Sequence, residues 1–504
     1  MSYFTHISEG SRRFTVLLAV ASLMASTGCG PGAEHTSGRK PPTETVPASG
    51  RGITGASTEG PDFRVPGDVP EGKHWRYGLI LPFQVAPRTG AAFLNARIRN
   101  GVMGHKWGHG DYEVGNDVVL FQDISQISTE PALVLTRNHD EPNPKSIPPN
   151  QPSIMVKYPM RGGFIPLQAK RPDGSVYAHA GTGFGVSVAL ARRKAANDHP
   201  NGATFTEAEN YQYYEIFQLA YDGSRLKMTD SARVPPDQMV SGWWVSNSGL
   251  SNAIPSGEDL ILGMTCYRFK AAVHPKDPSA PASGVMRWSR NGGKWQPISF
   301  APVSPPDNSS ESSLIRGLDG SLLFAVRPGP ADFHAVQVWR SQDEGESWEK
   351  IIDVRGLISI APVTVNRGLD GTPYIASNIY LVPTDPIDKS FKLFRDRKGR
   401  IKGGGWTRQK LYFWPFTKDR KGLEAPILAR DPRAEFGPPP GGSMWRVDHP
   451  SSAIIQLADG KWHNVVGYRI HEDVEDHDKA MPAQTGAYLE EVVSAGTPIP
   501  AWDF

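Results

Sequence analysis

Apolar and polar positions alternate along most of the chain in one recurring layout: a short apolar strand, an Asp-Gly turn, and a second apolar strand running back. Phe164-Ile165-Pro166-Leu167 meets Asp173-Gly174 and returns through Val176-Tyr177-Ala178. Ser313-Leu314-Ile315 meets Asp319-Gly320 and returns as Leu322 to Val326, and Pro362 to Val365 meets Asp370-Gly371 and returns as Pro373 to Ala376. Ala453-Ile454-Ile455 meets Asp459-Gly460 and returns through Trp462 to Val466, and a looser copy joins Ala253-Ile254 to Leu260 to Met264 across Glu258-Asp259. Second hairpins follow, with turns expected at Asp222-Gly223, Asn291-Gly292-Gly293, Asp343-Glu344-Gly345 and Asp396 to Gly399.

Two hairpins make a four-stranded unit of about 50 residues, the scale of a propeller blade. Five such units run from about Met160 to Ala495, and the stretch from Trp75 to Asn138 supplies a sixth or an irregular cap. The expected fold is all-β, a six-bladed β-propeller over residues 75–504. Composition agrees: 52 glycines and 45 prolines among 504 residues exclude a coiled coil or helical bundle, and 10% aromatic residues suit many short strands. A net charge of +2 leaves too little bulk electrostatic attraction for nucleic acid.

Before the repeats, Arg12 and Arg13 precede an apolar run from Phe14 to Ala25, the length of a signal-peptide core and too short to span a bilayer. Ser26-Thr27-Gly28-Cys29 resembles the bacterial lipobox, which implies that residues 1–28 are a lipoprotein signal peptide and that Cys29 carries lipid. The implied location is the bacterial cell envelope, exported and membrane-anchored. Cys266 is then left as a lone thiol. Residues 29–74, rich in Gly, Pro, Ser and Thr, are expected to be a disordered tether.

Ser341-Gln342-Asp343-Glu344-Gly345-Glu346-Ser347-Trp348 matches S-x-D-x-G-x-x-W in full, and Ser289 to Trp295 is a degenerate copy. The pattern resembles the Asp box, or bacterial neuraminidase repeat, of sialidase-superfamily propellers. The box is a folding device shared by enzymes and binding modules.

Site residues are read from geometry. The residue before the first strand and the residue after the second share one edge of a hairpin, which in a propeller is a rim of the central channel. Those positions hold Arg161 with His179, Asn252 with Arg268, Glu311 with Arg327, Ser359 with Asn378 and Tyr380, and His449 with Tyr468. The 16-residue spacing of Glu311 and Arg327 resembles the sialidase pair of a glutamate and an arginine of the carboxylate-binding triad. In that family the glutamate polarises a tyrosine nucleophile, because a free phenol titrates near ~10.

The first triad arginine of the family lies in a Phe/Tyr-Arg-Ile-Pro motif, where this chain reads Gly163-Phe164-Ile165-Pro166 with Arg161 as the substitute. Phe63-Arg64-Val65-Pro66 matches it in letters at the end of the tether and is read as coincidence. Where the family places its tyrosine, this chain has His449-Pro450-Ser451-Ser452.

The resemblance implies a glycoside hydrolase on anionic, sialic-acid-type glycans. Arg161, Arg327 and Arg446 would hold the carboxylate, Glu311 would act as base toward Tyr468 or Tyr380, and His449 would serve in proton transfer. Arg408 is an alternative third arginine. Two other readings stay open: a non-catalytic propeller binding glycan or protein through the same rim, and a polysaccharide lyase in which an arginine neutralises a uronate carboxylate while His449 and a tyrosine move the proton. No cofactor or metal is expected. His105, His109 and Asp111 read as a polar loop, His471 to Asp478 as a solvated acidic loop, and Gly181 to Gly185 lacks dinucleotide-binding spacing.

Overall fold

The computed structural model describes residues 52–56, 63–64, 75–98, 112–127, 131–137, 153–157, 160–171, 173–193, 211–235, 238–240, 243–268, 282–304, 311–327, 335–355, 361–378, 408–439, 444–473 and 484–495. Their strands form six antiparallel sheets that follow one another along the chain. Cys29, Tyr380, His105, His109 and Asp111 lie outside the described residues.

Blade one is Trp75–Ala86, Thr89–Ile98, Tyr112–Phe121 and Leu133–Arg137. In blade two the innermost strand is broken into Ser153–Lys157 and Arg161–Ile165, both paired with Thr182–Arg193, and Tyr211–Tyr221 and Leu226–Val234 complete the sheet. Blade three repeats the break, with Trp243–Ser248 and Ile254–Ser256 on Asp259–Arg268, then Ala282–Asn291 and Lys294–Pro302. Blade four is Ser312–Arg316, Leu322–Val326, Ala335–Ser341 and Glu349–Arg355, and blade five is Thr364–Arg367, Pro373–Ser377, Leu411–Pro415 and Ile427–Arg430. Blade six is Met444–Gln456, Trp462–Asp473, Gly486–Ala495 and, from the other end of the chain, Gly52–Ala56.

The six-bladed expectation holds, and residues 75–137 are a full blade. Three details differ. Gly52–Ala56 and Phe63–Arg64 fall inside the stretch assigned to the tether, yet both pair with the strand Gly486–Ala495. Composition argues only that such a segment cannot order itself; an open sheet edge supplies the backbone partners it lacks. The outer hairpin of blade five is formed by Leu411–Pro415 and Ile427–Arg430, whereas the turn expected for it at Asp396 to Gly399 lies outside the described residues. In blade two the returning strand begins at Thr182, so Asp173-Gly174 sits in a small turn bridged by Lys170 and Val176.

The Asp-Gly turns close by one device. Each aspartate carboxylate accepts the backbone N–H two residues on, at 2.9 Å for Asp173, 3.0 Å for Asp222 and Asp370, 3.2 Å for Asp319 and 2.9 Å for Asp459. The following glycine takes the left-handed backbone, as at Gly320 with φ 77°. The turn Ser341 to Trp348 is more heavily tied. Asp343 accepts from the Ser347 N–H at 2.9 Å, Gly345 donates to Ser341 Oγ at 2.9 Å, and the Trp348 indole donates to the Gly345 carbonyl at 3.0 Å.

Burial explains why inner strands are apolar on both faces. Along Leu322–Val326 all five residues are buried. Leu322, Phe324 and Val326 pack toward blade three, and Leu323 and Ala325 toward blade five. Six hydrophobic clusters result, each mixing residues of two neighbouring blades.

The ring is also stitched by hydrogen bonds between neighbouring inner strands and the loops that continue them. Leu167 N–H reaches the Val85 carbonyl (2.8 Å) and Ala253 N–H the Gly162 carbonyl (2.5 Å). Leu314 N–H reaches Ser251 Oγ (2.9 Å) and Val365 N–H reaches Ser313 Oγ (2.7 Å). Ser452 N–H reaches Asn366 Oδ1 (3.2 Å), and Gln456 N–H reaches Gln84 Oε1 (2.6 Å), which closes blade six onto blade one.

Gln84 is buried and its amide also donates to the Gln456 carbonyl at 3.1 Å. Gln84→Ala therefore strands the N–H and carbonyl of Gln456, together with the Ala86 and Thr89 carbonyls that the same amide serves, and should cost about 1–3 kcal/mol in urea unfolding, with an unchanged midpoint counting against this closure. Calorimetry of chains starting at residues 50 and 58 tests the N-terminal strand. The shorter chain should melt several degrees lower, and equal midpoints would show that Gly52–Ala56 contributes nothing to blade six.

Candidate functional site

Glu311 immediately precedes the inner strand of blade four, and Arg327 immediately follows the second strand. The Arg327 N–H donates to the Glu311 carbonyl at 2.7 Å, so the two residues extend the ladder by one pair. Their side chains then meet, Arg327 Nη1 to Glu311 Oε2 at 2.7 Å. This is the juxtaposition expected from the 16-residue spacing.

The rest of the cluster comes from blades five and six. In Met444–Gln456 the register runs Asp448↔Arg469 and then Ser451↔Gly467, so His449 and Pro450 together oppose Tyr468. This two-against-one bulge puts His449 at φ 55°, a left-handed conformation uncommon outside glycine. His449 Nδ1 lies 2.8 Å from Asp448 Oδ1 and Nε2 lies 3.5 Å from Glu311 Oε1, so the imidazole bridges blade six to blade four.

Asp448 is fully buried. Arg469 binds both its carboxylate oxygens, through Nε to Oδ1 and through Nη2 to Oδ2 at 3.3 Å, and Arg408 Nη1 adds a contact to Oδ2 at 2.6 Å. Asn378, at the end of blade five's second strand, aligns these pieces. Its amide donates to the carbonyls of Val447 at 2.6 Å and Lys410 at 2.7 Å, and so holds the residue before Asp448 and the segment carrying Arg408.

Burial alone would raise both carboxyl groups. For Glu311 the burial effect is outweighed by Arg327 and His449, and for Asp448 by Arg469, His449 and Arg408, so both are held well below the usual carboxylate range. Arg408 is lowered to about 10 by burial, with Asp448 opposing and Arg327, Arg446 and Arg469 adding to the fall. Arg469 and Arg408 thus flank one carboxylate, and Arg327 pairs with the other.

The remaining expected residues divide. Arg446 stands two residues before Asp448 on the same face of the inner strand of blade six, opposite His471. Arg161 is placed in a different role: buried at the start of Arg161–Ile165, it donates through Nη1 to the Met160 carbonyl at 2.9 Å and through Nε to the Gly249 carbonyl, joining blade two to blade three.

Tyr468 is a correction. Strand alternation puts it with Val466 and Ile470 in the wedge between blades five and six, not on the face Arg469 presents to Asp448. Its ring stacks on Tyr488, 5.9 Å between centroids, and its hydroxyl donates to Glu490 Oε2 at 2.8 Å. Among the described residues Glu311 bonds with Arg327 and His449 and with no tyrosine. Asp448 and Arg469 were invisible to rim reasoning because one lies inside a strand and the other pairs with it. The adjacency Asp448-His449-Pro450 within an otherwise alternating strand was the available signal.

No protein-family model matches this chain, and no curated protein matches it. Among solved structures, a protein of unknown function from Dyadobacter fermentans is similar over 88% of this chain and 100% of its own, at 12% identity and a TM-score of 0.49. A NanB sialidase mutant from Streptococcus pneumoniae matches over 86% of this chain and 70% of its own, at 10% identity and 0.48. Trypanosoma rangeli sialidase, in complex with 2,3-difluorosialic acid, matches over 85% of this chain and 56% of its own, at 12% identity and 0.45.

The two carboxyl groups set an acid limit on stability. Both have depressed folded pKa values, so their contribution is present above the unfolded value near ~4 and is lost as pH falls through the folded values. Asp448→Asn should remove part of that acid-dependent loss and cost about 3–5 kcal/mol at pH 7, because Arg469 and Arg408 keep buried charge without their counter-ion. Melting curves from pH 7 to pH 2 check this; a variant that melts as the parent does at pH 7 would show Asp448 to be dispensable.

Proposed function

We propose that the rim formed by blades four to six binds a sugar through its carboxylate and cleaves the adjoining glycosidic bond, as a sialidase-like glycoside hydrolase. The observation that carries this reading is the Glu311–Arg327 pair with His449 facing it across the ring. Arg327, with Arg446 in the same group, supplies the charge-assisted hydrogen bonds that a sugar carboxylate requires, and Glu311 and His449 supply the groups for proton transfer. The turn Ser341 to Trp348 supports the same resemblance, since its hydrogen bonds are those expected of an Asp box. Cys29 as a lipid attachment site completes the proposal, an enzyme held at the cell envelope where external glycans arrive.

The lyase reading keeps one observation in its favour, the imidazole of His449 held between Asp448 and Glu311, a base of the kind that reading requires.

Purified protein incubated with fluorogenic sialosides and uronides should release the fluorophore, and Glu311→Gln should lower kcat/KM by about 10²–10⁴-fold. A rise in unsaturated-uronate absorbance with no hydrolysis selects the lyase. Glycan-array binding with no turnover of any kind leaves a binding module and defeats the proposal.

A further inference from the structure

Resting on the hydrolase reading, we infer that the base of this site is His449 itself, oriented by the buried carboxylate of Asp448, and that water attacks the sugar directly with inversion at the anomeric carbon.

Two features single out His449, its backbone and its carboxylate partner. Its backbone is left-handed, φ 55°, immediately before a proline, where glycine or asparagine would be held more cheaply. The β-bulge within the inner strand Met444–Gln456 puts it there, and such bulges re-aim side chains. Its Nδ1 faces a fully buried aspartate at 2.8 Å, and that aspartate is fixed from two directions by Arg469 and Arg408. An ion-pair network serving stability alone requires none of the strain.

The consequence is a defined tautomer. In the neutral imidazole, the form that acts as a base, Nδ1 carries the proton and donates it to Asp448 Oδ1, so the lone pair of that form is on Nε2. Among the described residues, the charged and titratable groups facing the ring are Asp448 beside it on blade six and Glu311 with Arg327 from blade four; Arg408 and Arg469 act through Asp448. Glu311 Oε1, 3.5 Å from Nε2, is too distant for a strong hydrogen bond yet close enough to stabilise an imidazolium.

In the reaction Nε2 takes one proton from water and the water oxygen bonds to the anomeric carbon. The glycosidic C–O bond breaks with its electron pair on the departing oxygen, which takes a proton from solvent. The imidazolium returns its proton to solvent. One water is consumed, two hydroxyl groups are produced, and no sugar becomes attached to the protein. A single displacement of this kind inverts configuration, whereas a nucleophilic side chain would retain it. Asp448 does not touch the substrate; it is a positioning residue.

The test uses the full chain and the glycoside it hydrolyses fastest. Proton NMR of the first-formed product should show the inverted anomer, and a fluorinated sugar that traps glycosyl-enzymes should leave the protein mass unchanged. His449→Gly, which relieves φ 55°, should lose about 10²–10⁴-fold in kcat and regain at least about tenfold with added imidazole. Asp448→Asn should lower kcat more than it raises KM and shift the ascending limb of the pH profile. A melting curve accompanies each variant, and if Asp448→Asn does not fold, imidazole rescue of His449→Gly decides. A retained anomer, a trapped adduct on a tyrosine, or no imidazole rescue overturns the inference and leaves the hydrolase standing. No turnover of any carboxylated glycoside overturns both.

Discussion

Each blade hands a hydrogen bond from its inner strand, or from the loop continuing it, to the next blade, and the circuit from Leu167–Val85 round to Gln456–Gln84 has no gap among the six junctions. A four-stranded sheet with two apolar faces cannot stand alone in water, so each blade needs both neighbours to bury its faces. Hydrophobic burial drives that packing without fixing the depth at which blades meet, because it is non-directional. The directional bonds at the inner edge fix it. Residues on different blades, such as Glu311 and His449, keep their separation only because this inner circuit sets the height of each strand relative to the next.

At the rim the same rigidity carries charge. Placing Asp448 where water does not reach is costly for a lone carboxylate, and the site answers with Arg469 and Arg408. Burial lowers Arg408 first of all, and the neighbouring arginines add to that fall. Such a network is a poor source of stability, since hydrophobic side chains of similar volume would serve as well. What it provides is orientation: with two arginines on its oxygens, Asp448 has one direction left in which to face His449.

What the sequence disclosed follows the range of the interaction involved. Asp319-Gly320 and Asp370-Gly371 announce their turns because the carboxylate, the accepting N–H and the left-handed glycine lie within three residues. Glu311 and Arg327 were legible for the same reason at one remove, since a hairpin converts a fixed spacing into contact. Gly52–Ala56 was not, because its partner strand Gly486–Ala495 lies at the far end of the chain and nothing in a Gly- and Thr-rich segment signals an edge strand. Tyr468 stands opposite His449 as the hairpin spacing implies, but alternation along its own strand turns its ring into the wedge between blades five and six with Val466 and Ile470.

The bulge adds its extra residue to one strand only. Tyr468, on the regular partner strand, keeps its alternation and faces Tyr488 and Glu490 in the wedge between blades, where it contributes to packing. The same extra residue lifts His449 out of the alternation and turns it toward Glu311. Without it, the strand would continue its regular pairing past Asp448, and the residue beside Asp448 would lie in the sheet instead of over the channel. The position of His449 is thus a matter of local backbone as much as of side chain. The backbone change is tolerated because Asn378 pins the Val447 carbonyl on one side and Ser452 is held by Asn366 on the other, so the irregularity is confined to the residues between them.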